Sequence, residues 1–373
     1  MESESLRQIS HLPEEIMTDI LSRLTAKSLV RFNFTSKSWL SLISSKHFIK
    51  AHSTKNPTFG DHRILSITKE PEYELHHLSL CSLLSDRVTY ATHGDFPIDK
   101  SVRSLKMVGS CNGLVCILIN RKDFFLWNPT TTESKKLPDA GGCGFGYVTE
   151  RGFGFDESSG DYKVYGVFSS QYRAIGKIYS LKANSWTSIN YNFKDGSTLL
   201  FRKGKFVSGN LHWCRTKSEL NWRWYISSFD LKNEVHGIME QPGILDDDFD
   251  PILGVFNGCL SMFYHNRVHG YLDNRFYDLW VLKRYGVRDS WRRLMSICVD
   301  PLRRFGLLTP FHVTSQNREV LFKSGRYLII YNSKENHFQC WEMIDSNKFL
   351  KLVYVESLES LVSQFGVHVQ TGK

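Results

Sequence analysis

The chain has 373 residues, 41% hydrophobic and 13% aromatic, enough to bury one large core or two ordinary ones. Its 47 basic and 38 acidic residues leave a net charge of +9, but without a block of five or six like charges nucleic-acid binding is not indicated. Eight cysteines without C-x-x-C spacing argue against structural zinc, and the longest strongly apolar run, 114–119, is far too short to span a membrane. The opening MESESLRQ has neither a basic start nor an apolar core, so the expectation is a soluble intracellular chain, in the cytoplasm and/or nucleus, without a signal peptide.

Residues 9–52 carry a helical pattern. Leu12, Ile16, Ile20, Leu21 and Leu24 step by four, four, one and three, which makes one apolar stripe on a 3.6-residue helix. Pro13 suits the first helical position, and Glu14 and Glu15 favour the positive end of the helix dipole. A second helix fits 26–32 with Leu29, Val30 and Phe32 apolar. Ser36 can cap a third that gathers Trp39, Leu42 and Ile43, and a last turn carries Phe48, Ile49 and His52. About 45 residues cannot comfortably bury all of these groups. Part of this apolar surface should be covered by the rest of the chain or by a partner.

After Thr54 the period changes to short alternating runs such as 63–67, 163–167 and 327–331. Turn clusters separate them: Asn112-Gly113, Ser159-Gly160-Asp161, Gly209-Asn210, Asn257-Gly258 and Ser324-Gly325. No helix of ordinary length is expected past residue 56. Each unit reads as a Gly-marked turn, an apolar strand, a spacer, an aromatic-ended strand, a polar turn and a closing strand. Aligning Trp127, Tyr179, Phe229, Trp280 and Tyr331 gives intervals of 52, 50, 51 and 51, and Leu78 lies 49 before Trp127. Six such units fill 57–363, leaving 364–373 as a tail. A period of this length in four-strand units is that of a β-propeller blade, and the alternative is a pair of β-sandwiches. The fold expected is therefore α+β overall: a small all-α head (9–52) followed by an all-β, six-bladed propeller-like domain (57–363).

Reactive chemistry is hard to find. Gly141-Gly142-Cys143-Gly144-Phe145-Gly146 lacks the Lys-Ser/Thr of a phosphate loop and reads as an inter-blade loop. Asp246, Asp247, Asp248 and Asp250 lack the spacing of a calcium loop. His76 and His77 point to opposite faces of a strand, and His212 reads as a hydrogen-bonded core or channel residue. No nucleophile elbow or H-E-x-x-H helix occurs. The expectation is no catalytic residue, no metal and no cofactor.

The head, with Leu12-Pro13, Ile16, Ile20-Leu21, Leu24, Lys27-Ser28-Leu29, Arg31-Phe32, Lys37, Trp39, Leu42-Ile43 and Phe48 in order, resembles the F-box. The resemblance implies docking onto a Skp-type adaptor and, through it, a cullin-based ubiquitin ligase of the SCF type. By position, Leu12, Pro13, Ile16, Leu21, Leu24, Leu29, Phe32 and Trp39 would form or support that contact. Thr25, where a Pro is common, and Thr35, where a Val is usual, depart from the pattern and would lower adaptor affinity. The strings GSCNGL (109–114), LWNPT (126–130), FGFD (153–156), NLHW (210–213) and FDL (229–231) resemble the F-box-associated domain of plant F-box/kelch-repeat proteins. That resemblance implies a non-catalytic subunit whose β domain captures an unidentified target protein for ubiquitination. Loops at 139–149, 170–176, 215–224, 246–250 and 265–274 are long and interrupt the repeat. Trp222, Arg223 and Trp224 suit interface anchors, and Asp246 and Asp248 could meet a basic segment of the target. Two other readings stay open: a binding module whose F-box is only a structural cap, and an enzyme whose axial pocket joins His, Asp, Glu or Ser.

Overall fold

The computed structural model describes residues 13–33, 35–55, 62–69, 72–85, 92–93, 102–140, 147–169, 174–191, 202–216, 224–242, 251–267, 275–305, 308–314, 318–325, 327–342 and 350–361. The head is four short helices, α1 (Glu14–Ser22), α2 (Ala26–Phe32), α3 (Lys37–Ile43) and α4 (Lys46–Lys55). Pro13 stands one position earlier than the sequence suggests, as the N-cap of α1. There it has no N–H to leave unsatisfied, and its carbonyl accepts from Ile16 and Met17 at 3.0 and 3.1 Å. Thr25 caps α2, its Oγ1 accepting the Ser28 N–H at 3.3 Å, and Ser36 caps α3 through the Trp39 N–H at 3.2 Å. The absent proline at 25 is thus replaced by a side-chain cap that starts the same helix.

Six sheets follow. β1 (His62–Lys69), β2 (Tyr73–Ser79) and β3 (Thr92–His93) form most of blade 1, with a short helix α5 (Leu80–Ser85) after β2. Blade 2 is β4 (Leu105–Cys111), β5 (Leu114–Ile119), β6 (Asp123–Trp127) and β7 (Ser134–Lys136). Blade 3 is β8 (Tyr147–Asp156), β9 (Asp161–Ser169), β10 (Ala174–Ser180) and β11 (Ser185–Ile189), with β12 (Arg202–Lys203) added in parallel to β8. Blade 4 is β13 (Lys205–Val207), β14 (Asn210–Thr216), β15 (Trp224–Asp230) and β16 (Val235–Met239). Blade 5 is β17 (Ile252–Phe256), β18 (Cys259–Arg267), β19 (Arg275–Leu282) and β20 (Trp291–Cys298). Blade 6 is β21 (Thr309–Val313), β22 (Val320–Ser324), β23 (Tyr327–Asn332) and β24 (His337–Glu342). The last strand, β25 (Leu350–Val355), returns to pair antiparallel with β1 and supplies the inner strand of blade 1. The inner strands β25, β4, β8, β13, β17 and β21 touch one another in a closed cycle. Closure lets every blade pack its faces against two neighbours, which leaves only short edge strands at the axis and the rim.

All six residues aligned in the sequence, from Leu78 to Tyr331, lie on the third strand of their blades. The repeat has a physical cause in the turn that follows. Asn128, Asp230 and Asn332, one residue beyond the marker, each accept two backbone N–H groups with a side-chain oxygen, and Ser180 accepts one. Five beyond the marker, Thr132, Asn184, Glu234 and Asn336 all take φ between 48° and 64°. The tyrosines use that residue: Tyr179 Oη and Tyr331 Oη donate to Asn184 and Asn336 Oδ1 at 2.8 and 3.0 Å. Asn112-Gly113 and Asn257-Gly258 are two-residue hairpin turns with positive φ at both positions.

The blades are pinned to each other by a few buried polar groups. Glu150 on β8 and Arg215 on β14 pair at 2.6 Å with side chains 8% and 3% exposed, and Arg215 Nε donates to Ser227 Oγ at 2.7 Å. Lys163 Nζ donates to the Leu231 carbonyl at 2.6 Å and to Glu234 Oε1 at 2.9 Å, again joining blades 3 and 4. Fully buried Asn128 donates to the Ser357 and Glu359 carbonyls at 3.1 and 2.7 Å, anchoring the segment after β25.

Candidate partner-binding surfaces

The apolar stripe of the first helix divides when folded. Leu21 turns inward and, with Ala26, Leu29, Ile43 and Phe48, builds the head's core, while Leu24, Phe32 and Trp39 pack around it. The Phe32 and Trp39 rings meet edge to face with centroids 5.4 Å apart, and His52 Nε2 lies 2.8 Å from the Leu24 carbonyl. Ile16 and Ile20, one turn apart on α1, stay 46% and 50% exposed, and Leu40 on α3 is 44% exposed. Exposed large aliphatics on so small a body are what a docking face needs, since core leucines are already satisfied. Of the residues expected at an adaptor contact, Pro13 and Ile16 are at the surface. Leu21, Leu24, Leu29, Phe32 and Trp39 hold the helices that present them, and Leu12 lies outside the described residues. Ile20 and Leu40 belong with the surface set. Ile20 could have been chosen from its i+4 spacing to Ile16; Leu40 carries no such signal. Thr35, exposed, donates from Oγ1 to the Phe32 carbonyl at 2.7 Å, so it serves the end of α2.

The missing core of the head comes from the far end of the chain. Leu358, just past β25, is 6% exposed and joins the Leu21–Phe48 cluster. Leu358→Ala should cost about 2–4 kcal/mol, the loss expected for truncating a buried leucine. Limited proteolysis should then cut the head first, while the propeller's melting transition stays near its original position.

On the propeller, Trp224 corrects the sequence reading. It does not stand in an exposed loop: it opens β15 opposite Thr216, is 2% exposed, and packs with Val207, Ile226, Leu260 and Trp291 between blades 4 and 5. An indole there is worth more as inter-blade core than at an interface. Trp222, Arg223, Asp246 and Asp248 lie outside the described residues. Strands β8, β10, β14, β15 and β18 run into the stretches 139–149, 170–176, 215–224 and 265–274 that the sequence suggests as loops.

His212 is fully buried, with Nδ1 3.1 Å from the Lys205 carbonyl and Nε2 2.9 Å from Tyr285 Oη, as a core histidine should be. Burial lowers its pKa from 6.5 to about 4, and burial does the same for His77. A pKa lower in the folded state than in the unfolded chain means that protons favour unfolding. The stability held by neutral His212 is complete above pH 6.5 and drains away as pH falls toward 4. Melting temperature followed across that window should drop, and less steeply in His212→Gln.

The inner strands of all six blades surround an axial cavity of about 930 Å³. Its described wall contains Lys106, Arg151, Lys203, Lys205, Lys323, His62 and His312, and no Asp or Glu. Ser110, also in the wall, donates its hydroxyl to the Val353 carbonyl at 2.8 Å. Of the His, Asp, Glu or Ser that the enzyme reading places on the axis, the described lining holds His62, His312 and Ser110. Among the described residues no group of three or more His, Cys, Asp or Glu could hold a metal ion.

Known proteins resemble the chain in both parts. Residues 9–51 match the F-box domain, and residues 78–369 match the F-box associated beta propeller domain. The F-box/kelch-repeat protein At3g23880 of Arabidopsis thaliana is 33% identical over 344 residues, covering 88% of this chain and 89% of that protein. The F-box protein CPR1 of the same plant is 30% identical over 358 residues, covering 87% and 82%. A four-helix head with exposed Ile16 and Ile20, joined to a closed six-bladed ring and matched along nearly its whole length, places the chain in the family of F-box proteins with an F-box-associated β-propeller.

Proposed function

We propose that the chain is a substrate-recognition subunit of an SCF-type ubiquitin ligase, acting in the cytoplasm and/or nucleus. The head binds a Skp-type adaptor, and through it a cullin. The propeller holds a target protein beside the ubiquitin-transfer machinery. The observation that carries this reading is the pair of unspent isoleucines on α1, Ile16 and Ile20, in a head whose core is otherwise closed by Leu358.

The chemistry required of the chain is proximity. A rigid ring with loops at the ends of its strands raises the local concentration of target lysines at a loaded enzyme, and no reactive group of its own is needed. The buried Glu150–Arg215 pair and the half-buried Lys163–Glu234 pair suit that task by fixing neighbouring blades relative to each other.

Co-expression with a Skp-type adaptor should give a one-to-one complex on size exclusion. Proteins captured by the full chain while the proteasome is inhibited should carry ubiquitin, and should lose it when residues 1–56 are deleted. Capture with unchanged ubiquitination after that deletion would instead favour the binding module with a structural cap.

A further inference from the structure

The axial cavity has a charge distribution that the adaptor role does not use. β12 runs parallel to β8 in a register that sets Lys203 directly opposite Arg151. Like charges facing across a strand pair are destabilising. The one carboxylate close by in the register, Glu150, is already bound to Arg215 at 2.6 Å. Arg151 is only 7% exposed, yet its Nε and Nη1 have no hydrogen-bond partner. A buried guanidinium with idle donors is a costly thing to keep. Lys205 follows on the adjoining inner strand, and Lys106 and Lys323 line the same space from blades 2 and 6.

These cations strain one another. Burial, with Lys205 and Arg151 adding to it, pushes Lys203 well below its ordinary pKa, and burial with Arg151 and Arg121 brings Lys106 to about 8. Burial lowers Arg151 to about 10. An apolar wall would fold better than this one, so the residues point to something that enters from outside and neutralises them.

We propose that the axial cavity is a binding site for a small, multiply phosphorylated molecule, held by Arg151, Lys203 and Lys205. Phosphoryl oxygens are strong acceptors for guanidinium and ammonium donors, and several of them on one molecule match cations contributed by several blades. A volume of about 930 Å³ suits a small organic ligand and is far more than a single phosphate ion occupies. The ligand would bridge the inner strands of the neighbouring blades 3 and 4 and stiffen the contact between them. This site stands independently of the adaptor reading.

Inorganic tripolyphosphate is the probe. Calorimetric titration of the full chain should show saturable binding that weakens with added salt, and the melting temperature should rise with probe concentration. Sulfate at the same ionic strength should do neither. Arg151→Met and Lys203→Met should each weaken binding by about tenfold or more, the worth of one charge-assisted hydrogen bond. Each should also leave the ligand-free melting temperature unchanged or raise it, because a repelling charge has gone. A residue with a merely structural role would lower it. If Arg151→Met does not fold, Lys205→Gln serves the same test. Absence of binding, or equal affinity in Lys203→Met, Lys205→Gln and the unaltered chain, would overturn the proposal. So would a phosphoserine peptide that binds with this same dependence where tripolyphosphate does not, since the cavity would then serve a protein segment.

Discussion

Ile16→Asp combined with Ile20→Asp is expected to abolish binding of a Skp-type adaptor, with a loss of at least about a hundredfold in affinity. Both side chains are about half exposed in the free chain, so neither contributes much to its core. On docking they would be the apolar anchors of α1, and a carboxylate at an interface centre must be desolvated without a partner. The folded chain should tolerate the change, with an unaltered melting curve. Leu21→Asp is the contrasting control: it places a charge in the head's core and should unfold the head itself. Surface plasmon resonance with the purified adaptor separates the two. Undiminished binding by the double variant would move the docking face away from α1.

Arg215→Ala is expected to destabilise the propeller by about 3–5 kcal/mol, the usual result of removing one member of a buried ion pair. The loss arises less from the missing attraction than from what remains. Glu150 would be left charged and 8% exposed without its 2.6 Å guanidinium partner, and Ser227 Oγ would lose its 2.7 Å donor. Because the pair bridges β8 and β14, the strain falls on the contact between blades 3 and 4. Glu150→Gln with Arg215→Met should cost much less than the two single changes added together, since no lone charge stays behind. Urea unfolding of the four variants gives the coupling energy directly. A cost below about 1 kcal/mol for Arg215→Ala would mean that water reaches the pair, as it does at exposed ion pairs.

The sequence and the structure agree most closely where physics is local. In blades 2, 3, 4 and 6 the turn after the third strand uses an oxygen-bearing side chain one residue past the aromatic marker and a positive φ five residues past it. Asn128, Asp230, Asn332 and Asn184 meet those needs in plain sight, which is why a period near 51 was legible. Helix caps behave likewise: Ser36 could be named in advance because capping depends on its own next three residues. Trp224 could not be placed this way. Aromatic residues near a loop serve an interface or a core equally well in one dimension, and only the packing of blade 4 against blade 5 decided for the core.

What the sequence alone determined is the division into a helical head and six four-strand units, together with turns such as Asn112-Gly113 and Asn257-Gly258, because periodicity, caps and turns are set by neighbours within a few residues. What only the tertiary structure decided rests on contacts between distant parts of the chain. Closure of the ring by β25 against β1 joins residues nearly 300 apart. The insertion of Leu358 into the head does the same across a still longer stretch, and it settles which apolar residues of α1 are left over for a partner. The basic axial cavity is of this kind too: Lys106, Arg151, Lys203 and Lys323 are scattered and unremarkable along the chain, and become one site only when a closed ring turns its inner strands toward a common axis.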